Sequence, residues 1–146
     1  MNRRDFFKHS LSAFALVSVA PKEVFALWNK RAFKESNYQK ALKATFGSTS
    51  LIPSKKISLE IPKVASNSAT VPLEVKCDLK GVKELAVFVE KNKSPLTFHL
   101  ELTSKMLPMV STRIKMRESS MVHVVAKVGG KLYTVSQQVK VNAQAC

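Results

Sequence analysis

The 146-residue chain has no glycine-rich phosphate loop. Its four glycines are Gly47, Gly81 and the pair Gly129-Gly130. Acid is scarce, ten Asp and Glu against 24 Lys and Arg, and no two carboxylates pair on one element. No nucleophile falls beside a base in the strand pattern described below. These absences exclude phosphate-loop, paired-carboxylate and nucleophile–base chemistry, and the chain reads as a non-enzyme. Long apolar runs are also missing. The one candidate, residues 9–20, is short of the roughly 20 strongly apolar residues that span a bilayer, and no second one follows it. The mature protein is therefore expected to be soluble, without a membrane association.

That short apolar run stands behind Arg3-Arg4, Phe6-Phe7 and Lys8, and is followed by Val24-Phe25-Ala26. An arginine pair, aromatics, a mild apolar run and a small-x-small site, in this order, mark residues 1–26 as a twin-arginine signal peptide cut after Ala26. The expected location is the periplasm. Removing the signal leaves the chain strongly basic, since the full sequence carries a net charge of +14. Such a charge attracts polyanions. An exported protein does not ordinarily meet nucleic acid, however, and these lysines are scattered rather than stacked with aromatics. A solvated basic surface facing acidic proteins or small anions is the better reading, with no nucleic-acid partner.

Residues 27–54 form a helical N-terminal segment. Trp28, Ala32 and Phe33 share a face that Tyr38, Ala41, Leu42 and Phe46 continue. Ser36 and Asn37 are placed to start a helix and Gly47 to stop it, so one interrupted helix or two short ones are expected, packed across the domain that follows. From residue 55 the apolar period becomes two. Candidate strands run over 56–61, 71–79, 84–90, 96–102, 110–117, 122–128 and 132–141, separated by turn-forming residues. About seven alternating strands, with a Gly-Gly hairpin near the end, predict an all-β immunoglobulin-like sandwich over 55–141. Residues 142–146 form a C-terminal arm.

Few residues carry candidate chemistry. His99 and His123 alternate with apolar neighbours and read as solvent-facing strand residues rather than metal ligands. Met106, Met109, Met116 and Met121 suggest a thioether copper site, but their spacing gives no shared face, and no metal or cofactor is expected. Cys77 lies on the Leu73–Val75–Leu79 face and reads as a small core residue. Cys146 ends a segment with nothing to bury. A disulfide between the two is the default for an exported pair, but a free exposed thiol at Cys146 fits these positions better.

Several stretches resemble the SoxY family of periplasmic sulfur carriers in thiosulfate oxidation. They are Ala41-Leu42-Lys43-Ala44 with Phe46-Gly47, Lys56-Ile57-Ser58-Leu59 with Pro62, and residues 87–92 with Pro95-Leu96. Residues 111–118, Gly130-Lys131-Leu132-Tyr133 and Val139-Lys140-Val141 complete the pattern. The resemblance implies a non-enzymatic carrier whose Cys146 holds sulfur intermediates covalently and presents them to other Sox enzymes in transient encounters. It also implies a SoxZ-like small β-sandwich as partner. The family arm typically reads Gly-Gly-Cys-Gly-Gly; here Gln144-Ala145 precede the cysteine. An exported immunoglobulin-like binding or assembly module without carrier chemistry is the alternative.

Overall fold

A computed structural model of the chain describes residues 29–142. The signal-peptide positions Arg3, Arg4 and Ala26, together with Trp28 and Cys146, lie outside the described residues.

The N-terminal segment forms two helices, α1 (Lys30–Lys34) and α2 (Tyr38–Phe46). Each starts on an asparagine whose side-chain oxygen takes a free N–H of the first turn: Asn29 accepts from Ala32 and Asn37 from Lys40. Asn29 Nδ2 also donates to the Ala44 carbonyl at 2.6 Å, which ties α1 to the end of α2. Gly47 closes α2 with φ 75°, its N–H bonded to the Lys43 carbonyl, a left-handed cap that a Cβ would strain. Tyr38, Ala41, Leu42 and Phe46 recur at helical spacing, and all four are buried.

Nine strands follow: β1 (Leu51–Pro53), β2 (Ile57–Glu60), β3 (Val64–Ala65), β4 (Val71–Cys77), β5 (Val82–Val89), β6 (Leu96–Glu101), β7 (Met109–Ile114), β8 (Ser120–Val128) and β9 (Lys131–Val141). The seven expected strands are all present within a few residues of their predicted ends. The two additional ones, β1 and β3, pair in parallel with the start and end of β9. They span three and two residues, too few to show an alternation. The large sheet runs β1-β9-β8-β5-β6, and the small one β2-β4-β7. Gly129 and Gly130 turn the β8–β9 hairpin with φ 55° and 78°, the doubly positive geometry a tight two-residue loop needs.

Two apolar layers result. Between the sheets, Val71, Leu73, Val75 and Cys77 of β4 face Leu85, Val87 and Val89 of β5 and Val122, Val124 and Ala126 of β8. On the opposite face of the large sheet, Ala86, Phe88, Leu96, Val125 and Leu132 pack under the two helices. Strand β5 is therefore apolar on both faces and buried without a break from Leu85 to Val89.

Helix cover corrects one expectation. His99 and His123 point away from the inter-sheet core, as expected, but that face is not open to solvent. His123 stacks on Tyr38, ring centroids 4.3 Å apart, and His99 meets the Phe46 ring edge-on at 5.7 Å. Each pairs with a carboxylate, His99 with Glu84 at 2.9 Å and His123 with Glu90 at 3.2 Å. The residues that look like solvated strand positions are the floor under α2.

Candidate functional site

Cys77 is unbridged and buried. Its thiol faces the inter-sheet core opposite Ile57. Burial pushes that thiol above its ordinary pKa; the Asp78 charge adds to this, while a backbone hydrogen bond from Leu79 works against it. A thiol held above its ordinary pKa is a weaker nucleophile at neutral pH, and Cys77 is packed in the inter-sheet core. Met116 is fully buried, whereas Met106 and Met109 are exposed, so the methionines do not converge. Among the described residues no group of three or more His, Cys, Asp or Glu is placed to hold a metal ion.

The other expected functional segment, the C-terminal arm, follows β9 in the chain, and the structure defines the end of that strand closely. Lys140 N donates to the Lys63 carbonyl at 2.8 Å, Val141 N to Ser119 Oγ at 2.9 Å, and Asn142 N to the Ala65 carbonyl at 3.2 Å. The chain is hydrogen-bonded on both sides through Val141 and to Ala65 at Asn142, four residues before Cys146.

Beside the exit, the β5–β6 and β7–β8 connections meet. Asn92 joins them: its Nδ2 donates to the Lys115 carbonyl and its Oδ1 accepts from Arg117 N, both at 2.8 Å. Buried Ser120 accepts from Lys91 N at 3.0 Å, and Ser94 Oγ donates to the Phe33 carbonyl at 2.6 Å. Met116 anchors the second connection from inside, with its N–H on the Ser68 carbonyl. Lys115 and Arg117, on either side of it, are both exposed. The result is a hollow of about 450 Å³ lined by Asn92, Lys93, Ser94, Lys115 and Arg117. Among the described residues, three cations and no carboxylate line it. Nearby Glu90 is engaged by His123. A larger open groove, about 1050 Å³, crosses β2, β4 and β7, but charges of both signs line it: Glu60, Lys63, Glu74 and Arg113.

Sequence reasoning did not find this hollow. Asn92 and the Lys115–Arg117 stretch are 23 and 25 residues apart at their two hydrogen bonds, and nothing local predicts that the two loops meet.

Fold and site together define a class: a helix-covered β-sandwich that supplies a scaffold, with its candidate reactive thiol beyond the last strand. The family follows from comparison. Residues 42–146 match the family model described as sulfur oxidation protein SoxY, and the chain belongs to the SoxY family. A solved structure of the sulfur carrier protein SoxY from Chlorobium limicola f thiosulfatophilum is 34% identical. It aligns over 70% of this chain and 93% of that one with a TM-score of 0.65. The superoxide reductase (neelaredoxin) from Ignicoccus hospitalis has a related fold at 11% identity and a TM-score of 0.53, over 60% of this chain and 80% of that one. No curated relative matches significantly.

Proposed function

We propose that this protein is a periplasmic sulfur carrier, exported by its twin-arginine signal. Cys146 covalently holds sulfur intermediates of thiosulfate oxidation and presents them to partner enzymes. The observation that carries the reading is positional. The family match runs through Cys146, and Asn142, four residues before it, is hydrogen-bonded to Ala65 at the end of β9. Four residues extended at roughly 3.3–3.6 Å each let the thiol travel about 14 Å from that anchor, enough to enter a partner's active-site channel.

The chemistry asks little of the sandwich. Joining a thiosulfate to the Cys146 thiolate through a new S–S bond releases two electrons, which a partner redox enzyme must accept. An ordinary cysteine is only about 3% thiolate at pH 7, so the partner enzyme also has to favour the ionised form. The sandwich supplies tether, anchor and a docking surface for a SoxZ-like subunit.

Mass spectrometry of the protein from thiosulfate-fed cells tests this: sulfur adducts are expected on Cys146, and Cys146→Ser should lose them while keeping fold and partner. An unmodified Cys146 under active thiosulfate oxidation would leave the alternative, an exported binding module. Replacing Arg3 and Arg4 with lysine should hold the protein and its SoxZ-like partner in the cytoplasm, read by cell fractionation.

A further inference from the structure

Three side chains with no part in the carrier reading meet on the large sheet. His123 of β8 lies opposite Ser136 of β9 and opposite Phe88 of β5 in the two ladders. Glu90 follows the last residue of β5, with its N–H on the Met121 carbonyl. Sequence spacing sets no nucleophile beside a base, but three neighbouring strands do so here. Ser136 Oγ stands 2.7 Å from His123 Nδ1, and His123 Nε2 stands 3.2 Å from Glu90 Oε2.

The partners dictate where the protons sit. A carboxylate only accepts hydrogen bonds, and a neutral imidazole has one donor and one acceptor nitrogen. Nε2 therefore carries its hydrogen toward Glu90, and the Ser136 hydroxyl donates to the Nδ1 lone pair. Tyr38 holds the ring in place, stacked on it with centroids 4.3 Å apart and planes within 10°. Burial and the Glu90 charge push the Tyr38 pKa up to about 12, so this neighbour stays uncharged at neutral pH. The His123 side chain is 14% exposed, whereas Ser136 is open to solvent. A hydroxyl within reach of a sheltered base, itself oriented by a third group, is the arrangement that activates a serine.

We propose that Ser136 is a second reactive site on this chain, an activated nucleophile that takes acyl groups from small activated esters. His123 is its general base and Glu90 a positioning residue. Ser136 Oγ adds to the ester carbonyl carbon while His123 Nδ1 takes the hydroxyl proton. The bond to the leaving alcohol then breaks, and the alcohol departs with the electron pair and recovers the proton from the imidazolium. Ser136 is left as an ester, which water cleaves by the same route to release the acid and restore the hydroxyl.

An alkyl fluorophosphonate, a probe that reacts with activated serines, tests this on the full chain. Ser136 Oγ forms the O–P bond, the P–F bond breaks, and fluoride leaves with the electron pair as His123 takes the proton. Peptide mass mapping should place the adduct on Ser136, ahead of Tyr133, Thr134 and Cys146. The labelling rate should rise with pH as a single group loses its proton, and then level off. Ser136→Ala should carry no adduct on that peptide, and His123→Gln should label about 100-fold more slowly or worse, the low end of what a positioned base contributes. Glu90 is half exposed, so Glu90→Gln leaves the fold intact, which an unchanged urea midpoint checks. Its amide can donate to Nε2, which turns Nδ1 into a donor and removes the acceptor that Ser136 needs. Labelling of Glu90→Gln should therefore slow about tenfold or more, with the levelling at high pH lost. Absence of an adduct on Ser136 with the probe in large excess would overturn the proposal. So would equal rates for wild type and Glu90→Gln, or labelling spread evenly over exposed hydroxyls such as Ser111 and Thr112. The probe needs neither Cys146 nor a pathway enzyme, so the outcome is separate from that of the carrier reading.

Discussion

The two faces of the large sheet are buried by different means. Its inner face is aliphatic, Leu85, Val87 and Val89 beside Val122, Val124 and Ala126, sealed by the small sheet. Its outer face mixes Phe88 and Val125 with His99, His123 and Glu84, under two short helices. A helix of nine residues has little stability alone; α2 exists because it has this face to cover. Polar groups are tolerated there because they are paired: Glu84 holds both His99 and Lys127, at 2.9 and 2.8 Å. The inner face stabilises by excluding water, and the outer face by recruiting a local cover that leaves the histidines paired with carboxylates.

The largest expected effect comes from testing whether that cover belongs to the cooperative fold. Phe88 is fully buried between the rings of Tyr38 and Phe46. Phe88→Ala should cost about 3–5 kcal/mol, and Leu85→Ala on the inner face about 2–5 kcal/mol, in a single urea transition for each. If the helices melted separately, Phe88→Ala would instead give two transitions, with the sandwich midpoint unchanged.

A smaller change probes the inner face. Cys77→Ala removes one sulfur from a well-packed site and should cost about 1 kcal/mol, with sulfur loading of Cys146 retained. Loss of loading in a folded Cys77→Ala protein would transfer the carrier role to the wrong-looking cysteine.

The smallest change sharpens the contrast between the faces. The Tyr38 hydroxyl is buried without a hydrogen-bond partner among the described residues, and burial, reinforced by the charge of Glu90, pushes its pKa up to about 12. The folded state thus keeps this proton while the unfolded chain loses it near pH 10. The stabilisation is complete below about pH 10 and declines as the pH rises from there toward 12. Tyr38→Phe removes an unsatisfied polar group, so at neutral pH its stability should match or exceed wild type by up to about 1 kcal/mol. Its urea midpoint should also fall less between pH 9 and pH 11, a difference that vanishes if the hydroxyl is solvated.

What the sequence discloses follows the same division. The inner face announces itself by alternation, as in Val71, Leu73, Val75 and Cys77, so both the β-sandwich and the burial of Cys77 were legible. The ends of α2 were legible too, because Asn37 and Gly47 do local jobs. The cover over His99 and His123 was not, since alternation tells which side of a strand a residue takes and not what lies above it. The same limit hid β1 and β3, whose pairing with β9 depends on distant residues, and the meeting of Asn92 with Lys115 and Arg117. The thiol was singled out by position, but the charged hollow near its exit arises only when two loops close together.

The Gly129-Gly130 turn stands at the opposite end of β9 from Asn142. Eleven residues of extended strand separate the two, about 35 Å at roughly 3.4 Å per residue. A fluorophore or affinity handle placed in that turn therefore sits on an exposed hairpin tip, where insertions are best tolerated, and stays clear of the C-terminal end of β9. Paired with a second dye near the hollow, it makes the sandwich its own measuring stick, with β9 as the fixed length.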